Sequence, residues 1–162
     1  MNLPGAEVMY TMESTDWVFS NHVIKEGDYY YIGEVNENKE PNGYGFKLRR
    51  DKKVIYENYW VSGRSQGKGM IVTDSFVSFG TFKDGEWKGL VIDEFYDGGK
   101  FKGLYENGKR YGLGKFLCSN GDTYKGNWKD DNWNGHGIFG WSNGDFLMEN
   151  YTNYKQDGTG LE

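Results

Sequence analysis

Three residue types are scarce in this chain of 162 residues: it has two prolines, one cysteine and one alanine, Ala6. A mainly helical protein would not avoid alanine, the best helix former, while carrying 25 glycines. Collagen is excluded because proline and a three-residue glycine period are both missing. The single thiol, Cys118, cannot form an internal disulfide framework. The composition therefore excludes helical, collagenous and disulfide-rich classes of protein.

Excess positive charge and long apolar runs are missing as well. The formal net charge is −5, so the basic surface that attracts nucleic acids or anionic bilayers is not expected. No apolar run reaches the roughly 20 residues that are needed to span a bilayer. The first twenty residues hold three acidic residues and no Lys or Arg, unlike a secretory signal peptide. We therefore expect a cytoplasmic protein that does not bind nucleic acid.

Glycine is abundant instead, and much of it follows a repeat. The first glycines of successive units lie 24, 22, 23, 23 and 23 residues apart. Each unit holds a Gly-x-Gly pair except one, where Val91 takes the place of the second glycine. The glycines of the repeat are Gly43, Gly45, Gly67, Gly69, Gly89, Gly112, Gly114, Gly135, Gly137, Gly158 and Gly160. We assign them a structural role, because such regular spacing indicates stacked copies of one supersecondary unit.

An aromatic-x-Gly-x-aromatic motif precedes the glycine pairs. It runs from Phe101 to Tyr105 in one unit and from Tyr124 to Trp128 in the next, and we place Glu57 and Glu149 at its glycine position in degenerate copies. Turn signals such as Asn107-Gly108 predict that each unit is a β-hairpin. Because alternate residues of a strand share a face, the glycines and rings are expected to lie together. A missing side chain leaves space there for a neighbouring ring.

The pattern resembles the MORN (membrane occupation and recognition nexus) repeat family. Residues 122–145 are a near-consensus copy of that repeat, and residues 99–121 are almost as close. The resemblance implies a single all-β domain, an elongated and twisted antiparallel sheet of stacked β-hairpins. We expect five repeats and a truncated sixth over residues 29–162, and an N-terminal degenerate hairpin or cap over residues 1–28.

Patterns typical of catalysis and metal binding are weak. Gly135 to Gly140 fits G-x-G-x-x-G, but its glycines belong to the repeat and a turn follows. An EF-hand-like opening at Asp130 has Trp141 where the bidentate glutamate should stand. The two histidines and Cys118 form no ligand motif, and acidic residues such as Asp93 are expected to be solvated. We therefore predict no catalytic residue, no metal site and no cofactor.

Function is then expected to depend on surfaces. A groove lined with Tyr and Trp on the glycine-bearing face would suit a partner helix or an extended peptide. The candidate groove residues are Tyr59, Phe82, Phe101, Tyr105, Tyr124, Trp128, Phe139 and Tyr151. The opposite face offers an alternative apolar surface, formed by Tyr44, Phe46, Met70, Leu90, Ile92, Leu113 and Ile138.

The resemblance implies a non-enzymatic protein-binding adaptor or scaffold subunit in a cytoskeletal, ciliary or membrane-associated complex. Two alternatives remain open: a module that binds phospholipid at a membrane surface, which the net charge disfavours, and an accessory MORN array of a separate enzyme. A sugar or choline binder is a weaker alternative. Residues 146–162 form an incomplete last unit, so the terminal strand edge could pair with a second copy of the chain.

Overall fold

The computed structural model describes residues 23–49, 51 and 53–156, and its strands join in one antiparallel β-sheet. The described residues form fourteen strands and no helix, so none of them belongs to a helix that could cross a membrane. The strands are β1 (Val23–Glu26), β2 (Tyr29–Val35), β3 (Pro41–Arg49), β4 (Val54–Val61), β5 (Arg64–Val72), β6 (Phe76–Lys83), β7 (Glu86–Trp87), β8 (Gly89–Phe95), β9 (Lys100–Glu106), β10 (Lys109–Leu117), β11 (Thr123–Lys129), β12 (Asn132–Gly140), β13 (Phe146–Thr152) and β14 (Lys155–Gln156).

Neighbours in the sheet follow the order of the chain. Among the described strands, the one departure is the two-residue strand β7, which pairs with the end of β6 while β8 pairs with the start of β6. The predicted all-β sheet of stacked hairpins is confirmed. Strand β1 pairs with β2, whereas residues 1–22 of the expected N-terminal cap lie outside the described residues.

A row of mostly small residues crosses the middle of the sheet. Its members face one another from strand to strand in chain order: Gly33, Gly45, Asn58, Gly69, Gly80, Val91, Gly103, Gly114, Gly126, Gly137 and Glu149. Glu149 takes a glycine position, as expected. The assignment of Glu57 to such a position is wrong, because Asn58 lies opposite Gly45 and Gly69.

Buried rings lie directly over this row. A Cβ atom at Gly137 would lie 2.5 Å from Cε2 of Tyr124, and one at Gly114 would lie 2.7 Å from Cε2 of Phe101. Real Cβ atoms do not approach other atoms so closely. We call the side that carries Tyr31, Phe101 and Tyr124, all fully buried, the ring face. The glycines of the row thus provide the space in which these rings are buried.

The first glycine of a Gly-x-Gly pair has another role. Gly135 has φ +76° and Gly67 has φ +69°, in the left-handed region that side chains disfavour. The register shifts between the pairs Gly126–Gly137 and Trp128–Trp133, so Gly135 lies in a β-bulge. Gly158 and Gly160 lie outside the described residues.

The core consists of rings packed on one side of the sheet. One cluster is built from Phe101, Tyr124, Trp128 and Tyr151, with Phe95, Tyr105, Phe116, Trp133 and Phe139 packed against it. A second cluster holds Phe82, Trp87 and Val91. Tyr105 packs against both clusters, so the two are continuous. Toward the start of the sheet, Tyr31 packs edge-on against Trp60.

Alanine and asparagine substitutions should separate the two glycine roles. Gly137→Ala places a methyl group against Tyr124 and should lower the free energy of unfolding by about 1–3 kcal/mol. Gly67→Ala meets no neighbouring atom and should cost about 1–2 kcal/mol, because of its left-handed backbone alone. Gly67→Asn should recover part of that loss, whereas Gly137→Asn should be worse than Gly137→Ala. Urea denaturation of the four variants checks this order, and the opposite order at either site would contradict it.

Stability should fall at alkaline pH. Burial raises the pKa of Tyr31 and of Tyr124 to about 12, while an unfolded chain ionises tyrosine near pH ~10. The contribution of these two tyrosines to the free energy of unfolding is fully present below pH ~10 and is lost as the pH rises toward 12, because the unfolded chain loses their protons first. Tyr124→Phe, which cannot ionise, should flatten the dependence of unfolding free energy on pH. Parallel profiles for the two proteins would show that Tyr124 ionises normally when folded.

Candidate interaction surface

Most of the rings predicted to line a groove belong to the core. Phe82, Phe101, Tyr124, Trp128 and Tyr151 are buried on the ring face. Two further candidates, Tyr105 and Phe139, are half-buried at the margin of the ring clusters. A partner molecule would therefore reach little of the five buried side chains unless they unpacked.

Tyr59, the remaining groove candidate, does not lie in this row of rings. It is 51% exposed and lies opposite Tyr44. Trp60 takes the place that was expected for Tyr59, because it lies opposite Gly43. The equivalent pairs of the other units are Phe82 with Gly67, Tyr105 with Gly89, Trp128 with Gly112 and Tyr151 with Gly135. The motif of this unit was assigned one residue too early, and a shift of one residue reverses the face.

A buried polar network interrupts the ring face at Asp93. Ser78 donates a hydrogen bond of 2.6 Å to Oδ1 of Asp93, and the Tyr105 hydroxyl donates one of 2.7 Å to Oδ2. The guanidinium of Arg110 donates to the same Oδ2 at 3.2 Å. Burial and the Asp93 carboxylate raise the pKa of Tyr105, so its hydroxyl remains a donor at neutral pH. The expectation that Asp93 is solvated is wrong.

Aromatic rings surround the guanidinium of Arg110. Its central carbon lies 4.5 Å from the ring centroid of Phe101 and 5.3 Å from that of Trp128, with Phe95 and Phe116 within 6 Å. Arg110 faces Tyr105 just as Trp133 faces Trp128, so an arginine replaces a tryptophan of the repeat. Asp93 likewise takes the position that Phe116 has in the next unit. In the sequence, these two charged residues at positions that are aromatic in other units indicate the ion pair.

The described residues offer little for catalysis. Burial, with Asp122 and Asp97 nearby, raises the pKa of the Cys118 thiol, which therefore stays protonated and weakly nucleophilic at neutral pH. No group of three or more His, Cys, Asp or Glu residues within residues 23–49, 51 and 53–156 is placed to hold a metal ion. His22 lies outside the described residues.

The other side of the sheet, which we call the second face, carries Tyr44, Leu113 and Ile138 and keeps much of its apolar surface in contact with solvent. Leu113 is 66% exposed, Leu90 53% and Ile138 39%. The other residues of the predicted alternative surface are half-buried: Tyr44, Phe46, Met70 and Ile92. The Tyr44 hydroxyl donates to the Glu57 carboxylate. Tyr44 and Glu57 belong to the neighbouring, hydrogen-bonded strands β3 and β4.

The last long strand has an incompletely paired edge. In β13, Tyr151 and Thr152 pair with β14, while Phe146–Asn150 pair with β12 alone within the part of the chain that the structure describes. Self-association through this edge remains a prediction.

Removing one partner of the buried ion pair should be costly. Arg110→Met leaves the Asp93 carboxylate buried without its counter-charge and should lower the free energy of unfolding by about 3 kcal/mol. Asp93→Asn should also destabilise the protein, because it leaves the guanidinium uncompensated among rings. The double variant should lose less stability than the sum of the two single variants, as chemical denaturation can measure. Strict additivity would mean that the two charges do not interact.

One comparison with known proteins, a match to a family model, supports the repeat architecture. A family model for the MORN repeat matches residues 101–123 and 124–146, which contain β9, β10, β11 and β12. No curated protein matches the sequence. Among solved structures, the chain is similar to the SAS-4 (dCPAP) TCP domain of Drosophila melanogaster, solved in complex with a proline-rich motif of Ana2 (dSTIL). That similarity has 15% identity and a TM-score of 0.38, and it covers 85% of this chain and 88% of that chain.

In the matched units a ring lies over a pair of glycines, as Tyr31 lies over Gly33 and Gly45 near the start of the sheet. Phe101 covers Gly103 and Gly114, and Tyr124 covers Gly126 and Gly137. MORN repeats are generally non-enzymatic modules. Residues 101–146 of this chain therefore match two consecutive MORN repeats, and they lie within its sheet of stacked hairpins.

Proposed function

We propose that this protein is a non-enzymatic interaction module that binds a helix or an extended peptide of a partner protein on its second face. One observation carries the proposal. The ring face covers its own aromatic core, whereas exposed apolar side chains are concentrated on the second face: Ile55, Tyr59, Val61, Leu90, Leu104, Leu113, Ile138, Phe146 and Met148. Such concentrations of exposed apolar side chains on a soluble protein typically mark interaction sites.

The composition of the second face suits a polypeptide ligand. Along this face of β10, Lys115 stands between Leu113 and Leu117, and in β12 His136 stands beside Ile138. Apolar contacts supply binding energy and the interspersed polar groups supply orientation, which is the usual composition of a protein interface. The twisted antiparallel sheet holds these side chains at fixed spacings of about 4.8 Å between strands.

Other functions have less support. A phospholipid-binding surface remains the main alternative, and the net charge of −5 disfavours it. The ring-face groove remains a prediction, whose accessible part is limited to half-buried rings such as Phe139 and Trp133. An accessory role beside a separate enzyme, and the cytoplasmic, cytoskeletal or ciliary location, remain predictions of the family resemblance.

Two acidic substitutions on the second face should abolish partner binding. Leu90→Asp with Leu113→Asp places charges on exposed positions, so folding should be preserved while the recovery of partner proteins falls roughly tenfold or more. Tyr96→Asp with Trp141→Asp is the matched control, because both residues are exposed but lie outside this set of second-face residues. Quantitative co-purification measures the recovery, and near-UV circular dichroism verifies the fold.

Two results would count against the proposal. Equal recovery of partners by the two double variants would place binding elsewhere. The phospholipid alternative would be favoured by two results together: the purified protein floats with anionic vesicles, and no protein partner is found whose binding depends on Leu90 and Leu113.

A further inference from the structure

Three lysines stand side by side on the second face. Lys102 of β9 lies opposite Lys115 of β10, and Lys115 in turn lies opposite Lys125 of β11. All three side chains are exposed. We call these residues the lysine row. Their stems, together with Leu90 and Leu113, line a shallow depression.

Among the described residues, no carboxylate forms an ion pair with the lysine row. None of the three ammonium groups lies within 4.0 Å of a carboxylate among the residues that the structure describes. Like charges directly opposite each other on neighbouring strands destabilise a sheet. Packing on the ring face does not require the three lysines, because they alternate with glycines or rings along their strands and so point to the second face. The row is therefore a local concentration of positive charge on a protein whose net charge is −5.

Apolar residues continue the lysine row at both ends. Lys102 lies opposite Ile92, which lies opposite Phe79, and Lys125 lies opposite Ile138, which lies opposite Met148. Across the sheet, the second face thus presents apolar, basic and again apolar groups in a line. With strands about 4.8 Å apart, the five strands from Ile92 to Ile138 span about 19 Å.

That spacing fits an α-helix that crosses the strands. Helical residues at i and i+3 or i+4 lie about 5–6 Å apart, close to the distance between neighbouring lysines. Residues at i and i+7 are separated by about 10.5 Å, which matches the distance of about 10 Å from Lys102 to Lys125. Same-side residues of an extended chain repeat every ~6.6 Å and fit less well. About 13 residues of helix would cover the line from Ile92 to Ile138.

We propose that the lysine row binds an amphipathic helix of a partner protein that carries three acidic residues at i, i+3 or i+4, and i+7, flanked by apolar residues. This inference rests on the proposed function and names the chemistry of the partner. Charge complementarity selects the acidic stripe, and Ile92 and Ile138 receive the apolar residues on either side. A bilayer is the less favoured occupant, because three lysines attract anionic lipid only weakly on a protein that is negative overall.

Three synthetic helical peptides of about 18 residues test the inference. All have leucines at both ends of the contacting stripe and differ only at its three central positions, which are Glu, Gln or Lys. Fluorescence anisotropy should show that the Glu peptide binds tightest, the Gln peptide roughly tenfold more weakly and the Lys peptide more weakly still. Raising the salt from about 0.1 M to about 1 M should remove most of this difference, because the screening length falls from about 10 Å to about 3 Å.

A charge reversal on the protein gives the matched control. Lys102→Glu, Lys115→Glu and Lys125→Glu together should reverse the preference, so that the Lys peptide binds tightest. Lys83→Glu, Lys129→Glu and Lys155→Glu change the net charge equally at other exposed positions and should keep the original preference. Near-UV circular dichroism should show both triple variants folded, since none of the six lysines is ion-paired within the described ranges.

Each other outcome has a definite meaning. Equal binding of the Glu and Gln peptides, lost in Leu90→Asp with Leu113→Asp, would overturn the acidic partner and keep the proposed function. Binding of none of the peptides would count against both. Binding of phosphatidylserine vesicles that depends on the lysine row, without a preference for the Glu peptide, would replace the helix by a lipid surface.

Discussion

The contact on which this structure depends is the packing of an aromatic ring against a backbone that has no side chain. The residues that the structure describes form a single-layer sheet with no second sheet or helix among them to cover its apolar groups, so the core is built on the sheet itself. At Gly126 and Gly137 the ring of Tyr124 lies on the backbone, where any Cβ would overlap it. Each ring then packs against rings of the next unit, as Tyr124 does against Trp133 with centroids 4.2 Å apart.

This core has a consequence for the rest of the surface. Because the rings form the core on one face, the residues between them in sequence point to the other face and take no part in that core. Leu113 stands between Gly112 and Gly114 and remains largely exposed. Lys115 and Lys125 similarly alternate with the residues of the ring clusters. The fold therefore separates the positions that maintain it from the positions that a partner can contact.

The fold could be predicted from the sequence because one unit recurs with a nearly constant period, and because glycines and rings share a face by simple alternation. The alternation failed only where the motif is degenerate. In the unit of Glu57 and Asn58 no glycine marks the register. Trp60 was missed for that reason. Counted from Trp60, six residues precede Gly67, as six residues separate Phe82 from Gly89 in the next unit. The burial of Asp93 was missed because charge predicts exposure, while its hydrogen-bond donors come from Ser78 and Arg110, 15 and 17 residues away.

The position of the binding surface was harder to predict than the fold, for a physical reason. Aromatic side chains are typical both of cores and of interfaces, so sequence alone does not tell which rings are accessible. Here the accessible apolar groups are mainly aliphatic and the rings are mainly core. The lysine row is informative because neither role requires it: ring packing does not use Lys102, Lys115 or Lys125, and repulsion between neighbouring ammonium groups opposes their proximity. Residues that the fold does not need, placed where they disfavour it, are best explained by a ligand that compensates their charge.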